Sequence, residues 1–233
     1  MKRIAFYGGS FDPIHCGHLT IARRLSEIFE LDEFVFIPAF HAPHKKDKKP
    51  TSAFHRFAMI ALATNAEAKI KVSKMELELP ERPYTVETLG RLKNELSDTQ
   101  IFFVMGADSW QDILTWREWE TVLTMVNIIV VTRPDYEIGF SHVTDAIREK
   151  IVDLRGKFNA KTQRRKGAKE SEIWNLESGI YITDAVQIDV SATEIRQKIK
   201  ENSDDWRENV PLSVAKYIEK YELYKKSAQP ARQ

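Results

Sequence analysis

Apolar positions along this chain follow two patterns, short continuous runs and longer segments with helical spacing. The short runs are rich in strand-forming residues and lie at RIAFY (3–7), EFVFIP (33–38), IKVS (70–73), QIFFVMG (100–106) and NIIVVTRP (127–134). Helical spacing of apolar residues appears between them, at 17–30, 55–64 and 85–96. Near-continuous apolar runs are typical of strands covered on both faces. The alternation therefore predicts an α/β fold with an open, doubly wound parallel sheet.

Ligands in such a fold bind beyond the carboxyl ends of the strands. Glycine-rich or polar loops follow three of the predicted strands: GGSFDPIHCGHL (8–19), GADSW (106–110) and TRP (132–134). The segment 8–19 is called the first loop below. We expect these three loops to meet at one edge of the sheet and to form the ligand site.

The charge is balanced, because the 233 residues include 35 Lys and Arg residues and 34 Asp and Glu residues. Such a balance disfavours a general nucleic-acid or membrane-surface binder, which usually has a basic excess. The single cysteine, Cys16, cannot form an internal disulfide. The N-terminus has no signal-peptide pattern, and no stretch has the length of a membrane span. We therefore expect a cytoplasmic protein that binds neither nucleic acid nor membrane.

One region differs from the rest of the chain. The segment RGKFNAKTQRRKGAKES (155–171) is basic and nearly free of large apolar residues. We interpret it as an exposed, mobile insertion; a nucleic-acid contact is the alternative, which the balanced charge of the chain disfavours. The expected organisation is one domain over 1–224, followed by a disordered tail at 225–233. Homo-oligomerisation is compatible with the sequence, which does not fix the oligomeric state.

The first loop combines a strand end, a glycine pair and the start of a helix. Glycine lets the backbone approach a ligand closely, and a helix N-terminus offers N–H groups to phosphate. The loop matches neither the GxGxxG nor the P-loop pattern, and it carries His15 and His18 where a P-loop has lysine. A helix beginning near Gly17 would place His18 one turn before Ala22. Both imidazoles could then donate hydrogen bonds to a polyphosphate during transfer.

Two alternatives remain for these histidines. A histidine in a loop is often structural or merely solvated. A zinc site is also conceivable, since HxxH occurs again as HAPH (41–44), with Cys16 and His55 as further ligands. Zinc needs three or four ligands at suitable spacing, and this count disfavours the site.

A second predicted anion site lies in VSATEIR (190–196). Ser191 and Glu194 have the spacing of a capping box, so a helix is expected to start at Ser191. Arg196 would then lie one turn into that helix, close to free N–H groups. The alternative is an ordinary capped surface helix.

Several other residues at strand ends allow more than one interpretation. Asp108 could cap the next helix, accept a ribose hydroxyl or assist a magnesium ion. Arg133 is either a partner for a bound nucleotide or a structural ion-pair residue. The lysine run after His44 is typical of a solvated face. Tryptophans at close spacing, as at Trp110, Trp116 and Trp119, are more often core residues than ligand platforms.

The first loop resembles the signature of the nucleotidyltransferase superfamily, whose HxGH motif is shared with class I aminoacyl-tRNA synthetases. The longer GGSFDPIHxGHL resembles bacterial nicotinate mononucleotide adenylyltransferases. Further segments match that family in order along nearly the whole chain: PHK (43–45), RPYT (82–85), GADSW with TW (106–110, 115–116), VVTRP (130–134), VSATEIR (190–196) and VPLSVAKYIEKYELY (210–224). The resemblance implies a Rossmann-like nucleotidyltransferase fold.

The resemblance also implies roles for individual residues. The catalytic set would be His15, His18, Lys45 and Arg196. ATP would be bound by Gly8, Gly9, Ser10, Phe11, His18, Gly106, Asp108, Ser191, Thr193 and Arg196. Nicotinate mononucleotide would be bound by Ser10, His44, Lys45, Tyr84, Thr85, Trp116 and Arg133. In this set Trp116 would stack on the pyridine ring, and Tyr84 with the backbone of Thr85 would lie near its carboxylate.

The reaction implied by the resemblance is attack by the 5′-phosphate of nicotinate mononucleotide on the α-phosphorus of ATP. The products would be deamido-NAD and pyrophosphate, with Mg²⁺ as the cofactor, held mainly by the ATP phosphates. One departure from the family pattern is Ala192, where the family usually has a second serine. The alternatives are a related transferase acting on nicotinamide mononucleotide, phosphopantetheine or a phospho-alcohol, and a catalytically idle nucleotide-binding regulator. A tRNA synthetase is disfavoured because the chain is too short.

Overall fold

The computed structural model describes residues 1–39, 51–79, 83–132, 138–157, 178–186 and 188–225. The strands are β1 (Lys2–Gly9), β2 (Glu33–Pro38), β3 (Ile70–Val72), β4 (Thr99–Gly106), β5 (Asn127–Val131), β6 (Ile151–Asp153) and β7 (Ile180–Thr183). The α-helices are α1 (Cys16–Ile28), α2 (Ala53–Thr64), α3 (Thr85–Glu95), α4 (Ala107–Gln111), α5 (Trp119–Met125), α6 (Asp145–Arg148), α7 (Ala192–Lys200) and α8 (Leu212–Lys220). Short 3₁₀ helices lie at Ile113–Thr115 and Asp205–Asn209.

The described strands form one seven-stranded sheet in the order β3-β2-β1-β4-β5-β7-β6. Neighbouring strands run parallel throughout. The order reverses between β1 and β4, since the chain moves outward to one side from β1 and to the other from β4. In an open α/β sheet this switch point leaves a crevice at the carboxyl ends of the strands. The first loop and the GADSW segment both begin at that crevice.

The five inner strands (β1, β2, β4, β5 and β7) are covered on both faces, which explains their near-continuous apolar runs. Along β1, Ala5 and Tyr7 enter the hydrophobic cluster on one face, while Ile4 and Phe6 enter the cluster on the other. The first cluster includes residues of α1, α2, α7 and α8, and the second includes residues of α3 and α5. The two-fold alternation of side chains along a strand makes this division. The predicted doubly wound α/β fold is confirmed.

The strands and helices predicted up to residue 132 are confirmed, with bounds that differ by a few residues; residues 133 and 134 of the last predicted strand lie outside the described residues. The prediction did not include β6 and β7, which complete one side of the sheet. They have three and four residues, too few to establish a period. Within the described ranges, no helix has the length and apolar character that a membrane crossing requires.

Some predicted features lie outside the described residues. These are HAPH (41–44) with His44, Lys45, Arg133, residues 158–171 of the basic segment and residues 226–233 of the tail. Their expected roles stay predictions.

Candidate active site

The first loop turns sharply just after β1 ends. Phe11 has a φ of 47°, a left-handed conformation that is uncommon for a bulky residue. This turn folds the phenyl ring back over the backbone, where it is almost fully buried. A Cβ atom at Gly9 would lie only 2.9 Å from Cζ of Phe11. Gly9 is therefore required by the close approach of the Phe11 ring, in addition to any approach by a ligand.

His15 and His18 lie at the N-terminus of α1. The helix begins at Cys16, as expected to within one residue, with His15 as its N-cap. The two imidazole rings stack with their centroids 3.7 Å apart. The backbone N–H of His15 donates to Nδ1 of His18 at 3.3 Å. The ring edge of Phe11 also packs against His18, with 5.0 Å between centroids, so His18 is held from two directions.

These contacts assign a tautomer to His18. A ring nitrogen that accepts a hydrogen bond carries no proton, so in the neutral imidazole the proton is on Nε2. His15 is 5 % exposed, whereas His18 is only partly buried. His18 can therefore offer an Nε2–H donor to a ligand beside the helix N-terminus, where anions are favoured.

A pocket lies at the carboxyl ends of β1, β4 and β5. His15, His18 and Gly106 contribute to its wall, which confirms that the first loop and the GADSW segment meet there. The remaining lining residues are mostly apolar: Tyr7, Gly17, Ile21, Val131, Thr132, Val186, Ile188 and Val190. An apolar wall beside two imidazoles suits a ligand that combines a flat base with a phosphate group.

The last residue of β4 is a second glycine with a close side-chain neighbour, Gly106. Gly106 is the N-cap of α4, and Asp108 lies in the first turn of that helix. A Cβ atom at residue 106 would lie 2.5 Å from Oδ1 of Asp108, so a side chain there would require this carboxylate to move. The helix-capping interpretation of Asp108 is wrong, because Gly106 occupies the capping position. Its ribose and magnesium interpretations stay predictions.

The second predicted anion site folds as expected. Ser191 is the N-cap of α7, and its Oγ accepts from the backbone N–H groups of Thr193 and Glu194 at 3.2 and 3.4 Å. Arg196 donates through Nη1 to the backbone carbonyl of Asp12 at 2.5 Å and through Nη2 to Thr193 Oγ1 at 3.1 Å. The guanidinium thus joins α7 directly to the first loop, and the two predicted anion sites are neighbours.

The residues expected to hold the pyridine ring lie near α3. Tyr84 is the N-cap of α3. The guanidinium carbon of Arg117 lies over the Tyr84 ring, 4.8 Å from the ring centroid, as in a cation–π contact. Arg117 also donates to Glu87 of α3 at 3.4 Å. The preceding residue, Trp116, meets the ring of Phe103 on β4. Tyr84, Thr85 and Trp116 are therefore brought to the same region by Arg117, a residue that the sequence interpretation did not single out.

Trp110 and Trp116 differ in burial and in hydrogen bonding. Trp110 is fully buried and donates its indole N–H to the carbonyl of Gly139 at 3.0 Å, so the core interpretation is confirmed for it. Trp116 is only partly buried. Within the part of the chain that the structure describes, its buried indole N–H has no hydrogen-bond partner. A buried N–H without a partner is uncommon in a protein core, so the core interpretation alone does not explain Trp116, and its expected ligand role stays a prediction.

The alternative zinc site gains no support from the described residues. Among them, no three or more His, Cys, Asp or Glu side chains are placed to hold a metal ion. His55 on α2 makes a 2.9 Å hydrogen bond with the hydroxyl of Tyr217 on α8. Burial raises the pKa of the Cys16 thiol, which makes it a poorer ligand and nucleophile.

The sequence interpretation also missed Arg56, whose guanidinium donates a hydrogen bond to the carbonyl of Ser10 in the first loop. A signal for it existed in the segment AFHRFAMIALAT. Arg56 falls on the same helical stripe as Met59, Ile60 and Thr64, all of which are buried. A cation on an apolar stripe indicates a buried charge with specific partners.

Comparison with known proteins places these features in a family. The Cytidylyltransferase-like family model matches residues 6–198. The probable nicotinate-nucleotide adenylyltransferase of Desulfatibacillum aliphaticivorans is 34% identical over 230 residues, which cover 95% of this chain and 99% of that protein. The protein of the same name from Thermus thermophilus is 32% identical, with 96% of this chain and 100% of that protein covered.

A solved structure adds evidence for the fold. The Plasmodium falciparum nicotinic acid mononucleotide adenylyltransferase complexed with NaAD aligns with a TM-score of 0.68 at 22% identity. The alignment covers 96% of this chain and 98% of that one. The Rossmann-like nucleotidyltransferase fold is thereby confirmed. From the relatives' identity over nearly the full length, the chain belongs to the nicotinate-nucleotide adenylyltransferase family.

Proposed function

We propose that this chain transfers the adenylyl group of ATP to nicotinate mononucleotide, forming deamido-NAD and pyrophosphate in NAD biosynthesis. The observation that carries the proposal is the first loop, whose family signature folds into a histidine-lined pocket at the switch point of the sheet. Relatives that bear this activity in their names match 95% and 96% of the chain.

The nucleophile is an oxygen of the 5′-phosphate of nicotinate mononucleotide. This oxygen is already anionic at neutral pH, so the reaction needs no general base. It attacks the α-phosphorus of ATP, the bond to the bridging oxygen of the β-phosphate breaks, and pyrophosphate leaves. Catalysis then consists of aligning two anions and stabilising charge that develops on the phosphates.

His18 and His15 supply the donors nearest to the reacting groups in this proposal. His18 presents Nε2–H, because its Nδ1 accepts from the backbone of His15. The N-terminus of α1 adds backbone N–H groups and a partial positive charge. A donor fixed before the reaction stabilises the transition state without the cost of reorganisation. Lys45, outside the described residues, is proposed to add a cation at the same phosphates.

Arg196, Ser191 and Thr193 are proposed to hold the triphosphate from the side of α7. Arg196 already contacts the first loop, so a phosphate bound between α1 and α7 would lie beside its guanidinium. Ala192 lacks the hydroxyl that the family usually has. Its backbone N–H belongs to the first turn of α7 and remains a donor for phosphate.

The two nucleotides are proposed to bind on either side of the first loop. Adenosine would lie against the apolar wall of the pocket, contacted by the first-loop residues Gly8, Gly9, Ser10 and Phe11 and by Gly106 and Asp108. Nicotinate mononucleotide would lie towards α3, contacted by Ser10, His44, Lys45, Tyr84, Thr85, Trp116 and Arg133. The partly buried face of Trp116 suits stacking on an aromatic ring.

Nucleotidyltransferases of this kind generally use a divalent metal ion, and we propose Mg²⁺ here. Mg²⁺ prefers oxygen ligands and is usually bound through substrate phosphates with one or two carboxylates. The described site fits this arrangement, because it offers the Asp108 carboxylate at the end of β4 beside N–H donors. The ion would neutralise charge on the β- and γ-phosphates as pyrophosphate leaves.

Product analysis tests the proposed function. The protein is incubated with ATP and MgCl₂ and, separately, with nicotinate mononucleotide, nicotinamide mononucleotide or phosphopantetheine. Pyrophosphate and adenylylated products are followed by chromatography with mass detection. We expect a dinucleotide mainly from the nicotinate acceptor, with one pyrophosphate per dinucleotide. A product formed mainly from another acceptor would overturn the proposed acceptor, and no product from any acceptor would overturn the proposed activity.

A further inference from the structure

Arg56 is a buried cation that connects three separate segments. Its side chain is 1 % exposed. Nη1 donates to the carbonyl of Ser10 at 2.6 Å, Nη2 to that of Ala39 at 2.6 Å, and Nε to that of Thr51 at 2.9 Å. These carbonyls belong to the first loop, to the residue that follows β2, and to the approach to α2. The planar guanidinium therefore fixes the relative positions of these segments in a way that a single ammonium group could not.

Asp12 lies at the centre of a second set of contacts with the same loop. Its Oδ1 accepts from the hydroxyl of Tyr224 at 2.7 Å, and its Oδ2 accepts from the backbone N–H of Thr51 at 3.2 Å. Its backbone carbonyl accepts from Arg196. Both the carboxylate and the backbone carbonyl of Asp12 are thus hydrogen-bonded, and the residue is 7 % exposed.

The charges of this cluster support one another. Burial lowers the pKa of Arg56, and the nearby Asp12 carboxylate raises it again. Burial, and next the Asp12 carboxylate, raise the pKa of Tyr224 above its ordinary value, so the phenol remains a donor. A buried charge is costly unless it is hydrogen-bonded, and the Arg56 guanidinium and the Asp12 carboxylate are each hydrogen-bonded. The cluster is therefore costly to break at any one member.

The cluster acts on the first loop from outside the pocket. Ser10 and Asp12 flank Phe11, whose ring packs against His18. Arg56 is almost fully buried and donates to backbone carbonyls, and the Tyr224 hydroxyl donates to Asp12. A change at either residue is therefore expected to reach the pocket through the first loop.

We propose that Arg56 and Tyr224 are positioning residues for adenylyl transfer, which set the first loop through Ser10 and Asp12. The C-terminal segment after α8 thereby takes part in shaping the site, because Tyr224 reaches the loop from there. The inference rests on the proposed function, and in particular on the role of His18.

The test compares two variants that each lose one hydroxyl hydrogen bond. Tyr224→Phe removes the bond to Asp12, and Tyr217→Phe removes the bond of similar length to His55 between α2 and α8. Both variants are expected to lower the thermal midpoint by a few degrees. At a temperature where both are folded, only Tyr224→Phe should lower kcat, by about tenfold, since small displacements of reacting groups cost this much or more.

Arg56→Lys is the second variant, because it keeps the charge and loses the planar fork. We expect kcat to fall at least as far as in Tyr224→Phe. The double variant should lose less than the product of the two single effects, because both act through one loop.

A His18→Ala variant measured in parallel separates two failures. If Tyr224→Phe and Arg56→Lys keep the wild-type kcat while His18→Ala loses it, the positioning inference is wrong and the proposed site stands. If His18→Ala also keeps the wild-type kcat, the proposed role of His18 is wrong, and the inference fails with it. A kcat loss shared equally by Tyr224→Phe and Tyr217→Phe would also overturn the inference, since a general structural effect would then explain both.

Discussion

The backbone N–H of His15 donates to Nδ1 of His18, while the two imidazole rings stack 3.7 Å apart. The first histidine of the HxGH motif thus orients the second through its backbone and its ring. The N-terminal turn of α1 sets this spacing, because residues three apart in a helix lie on one face. In the proposed mechanism His18 needs one tautomer, and this contact selects it.

Gly9 should not tolerate a side chain. A Cβ atom there would lie 2.9 Å from the Phe11 ring, so Gly9→Ala must displace the ring or the loop. We expect a loss of about 1–3 kcal/mol in the free energy of unfolding, as for other overpacked sites. The thermal midpoint, measured by calorimetry, would fall by about 2–12 °C for a chain of this size.

Gly90→Ala is the matched control for that change. It lies inside α3, and a Cβ atom there meets nothing within 4 Å. Alanine is favoured over glycine in a helix by about 0.5–1 kcal/mol, so this variant should be slightly stabilised. Equal destabilisation of both variants would contradict the close-approach explanation for Gly9.

Trp116→Ala should weaken binding of nicotinate mononucleotide. Loss of aromatic stacking on one base costs about 1–3 kcal/mol, which corresponds to a rise in KM of about 5- to 150-fold. The KM for ATP should change little. Trp119→Ala is the control, since both indoles are partly buried against the same hydrophobic cluster. An unchanged KM for nicotinate mononucleotide in Trp116→Ala, measured by initial rates, would remove Trp116 from the acceptor site.

Arg196→Lys should weaken ATP binding although it keeps the charge. A lysine cannot donate to Asp12, to Thr193 and to a phosphate from one planar group. We expect the KM for ATP to rise by about tenfold, a typical effect for one charge-assisted contact. Lys198→Met on the same helix is the control, because that ammonium pairs with Asp205. An unchanged KM for ATP in Arg196→Lys would argue that only the charge at this position matters, and a similar rise in Lys198→Met would contradict a specific role of the Arg196 guanidinium.

Glu33 should contribute to stability in a pH-dependent way. It pairs with Lys2 at 2.7 Å and with Lys71 at 2.9 Å, and these contacts, Lys2 first, lower the pKa of its carboxyl below 4.5. Its contribution is therefore present above the pKa of the unfolded chain and is lost as the pH falls through the folded pKa. Because the pair is partly exposed, Glu33→Gln should cost less than about 1 kcal/mol at pH 7. Urea unfolding at about pH 2 should show no difference from wild type; a constant difference at both pH values would contradict this origin.

The elements that position the site could be predicted from sequence wherever the local pattern was long. The strands EFVFIP and QIFFVMG are buried on both faces of the sheet. Burial on both faces produces a continuous apolar run, which is a clear strand signal in the sequence. The N-cap at Ser191 was equally local, since a serine with a glutamate three residues later indicates a helix start in the sequence itself. Local chemistry thus identified the first loop, the end of β4 and the start of α7.

Contacts between distant segments could not be predicted in the same way. Tyr224 is 212 positions from Asp12, and nothing near either residue indicates the other. Arg117 over Tyr84 depends on how α3 packs beside the segment that follows Trp116. Such pairs follow from the packing of the sheet and its helices, which a periodic pattern does not contain.

The central claim is that His18 donates from Nε2 to a phosphate while its Nδ1 is held by the backbone. His18→Asn tests it most directly, because an asparagine amide oxygen can accept near the Nδ1 position but offers nothing at Nε2. The measurement is the single-turnover rate of dinucleotide formation from ATP and nicotinate mononucleotide with enzyme in excess. We predict a nearly unchanged thermal midpoint and a rate lowered by about 10²–10³-fold, as for loss of one preorganised donor. A wild-type rate in the folded variant would contradict the claim.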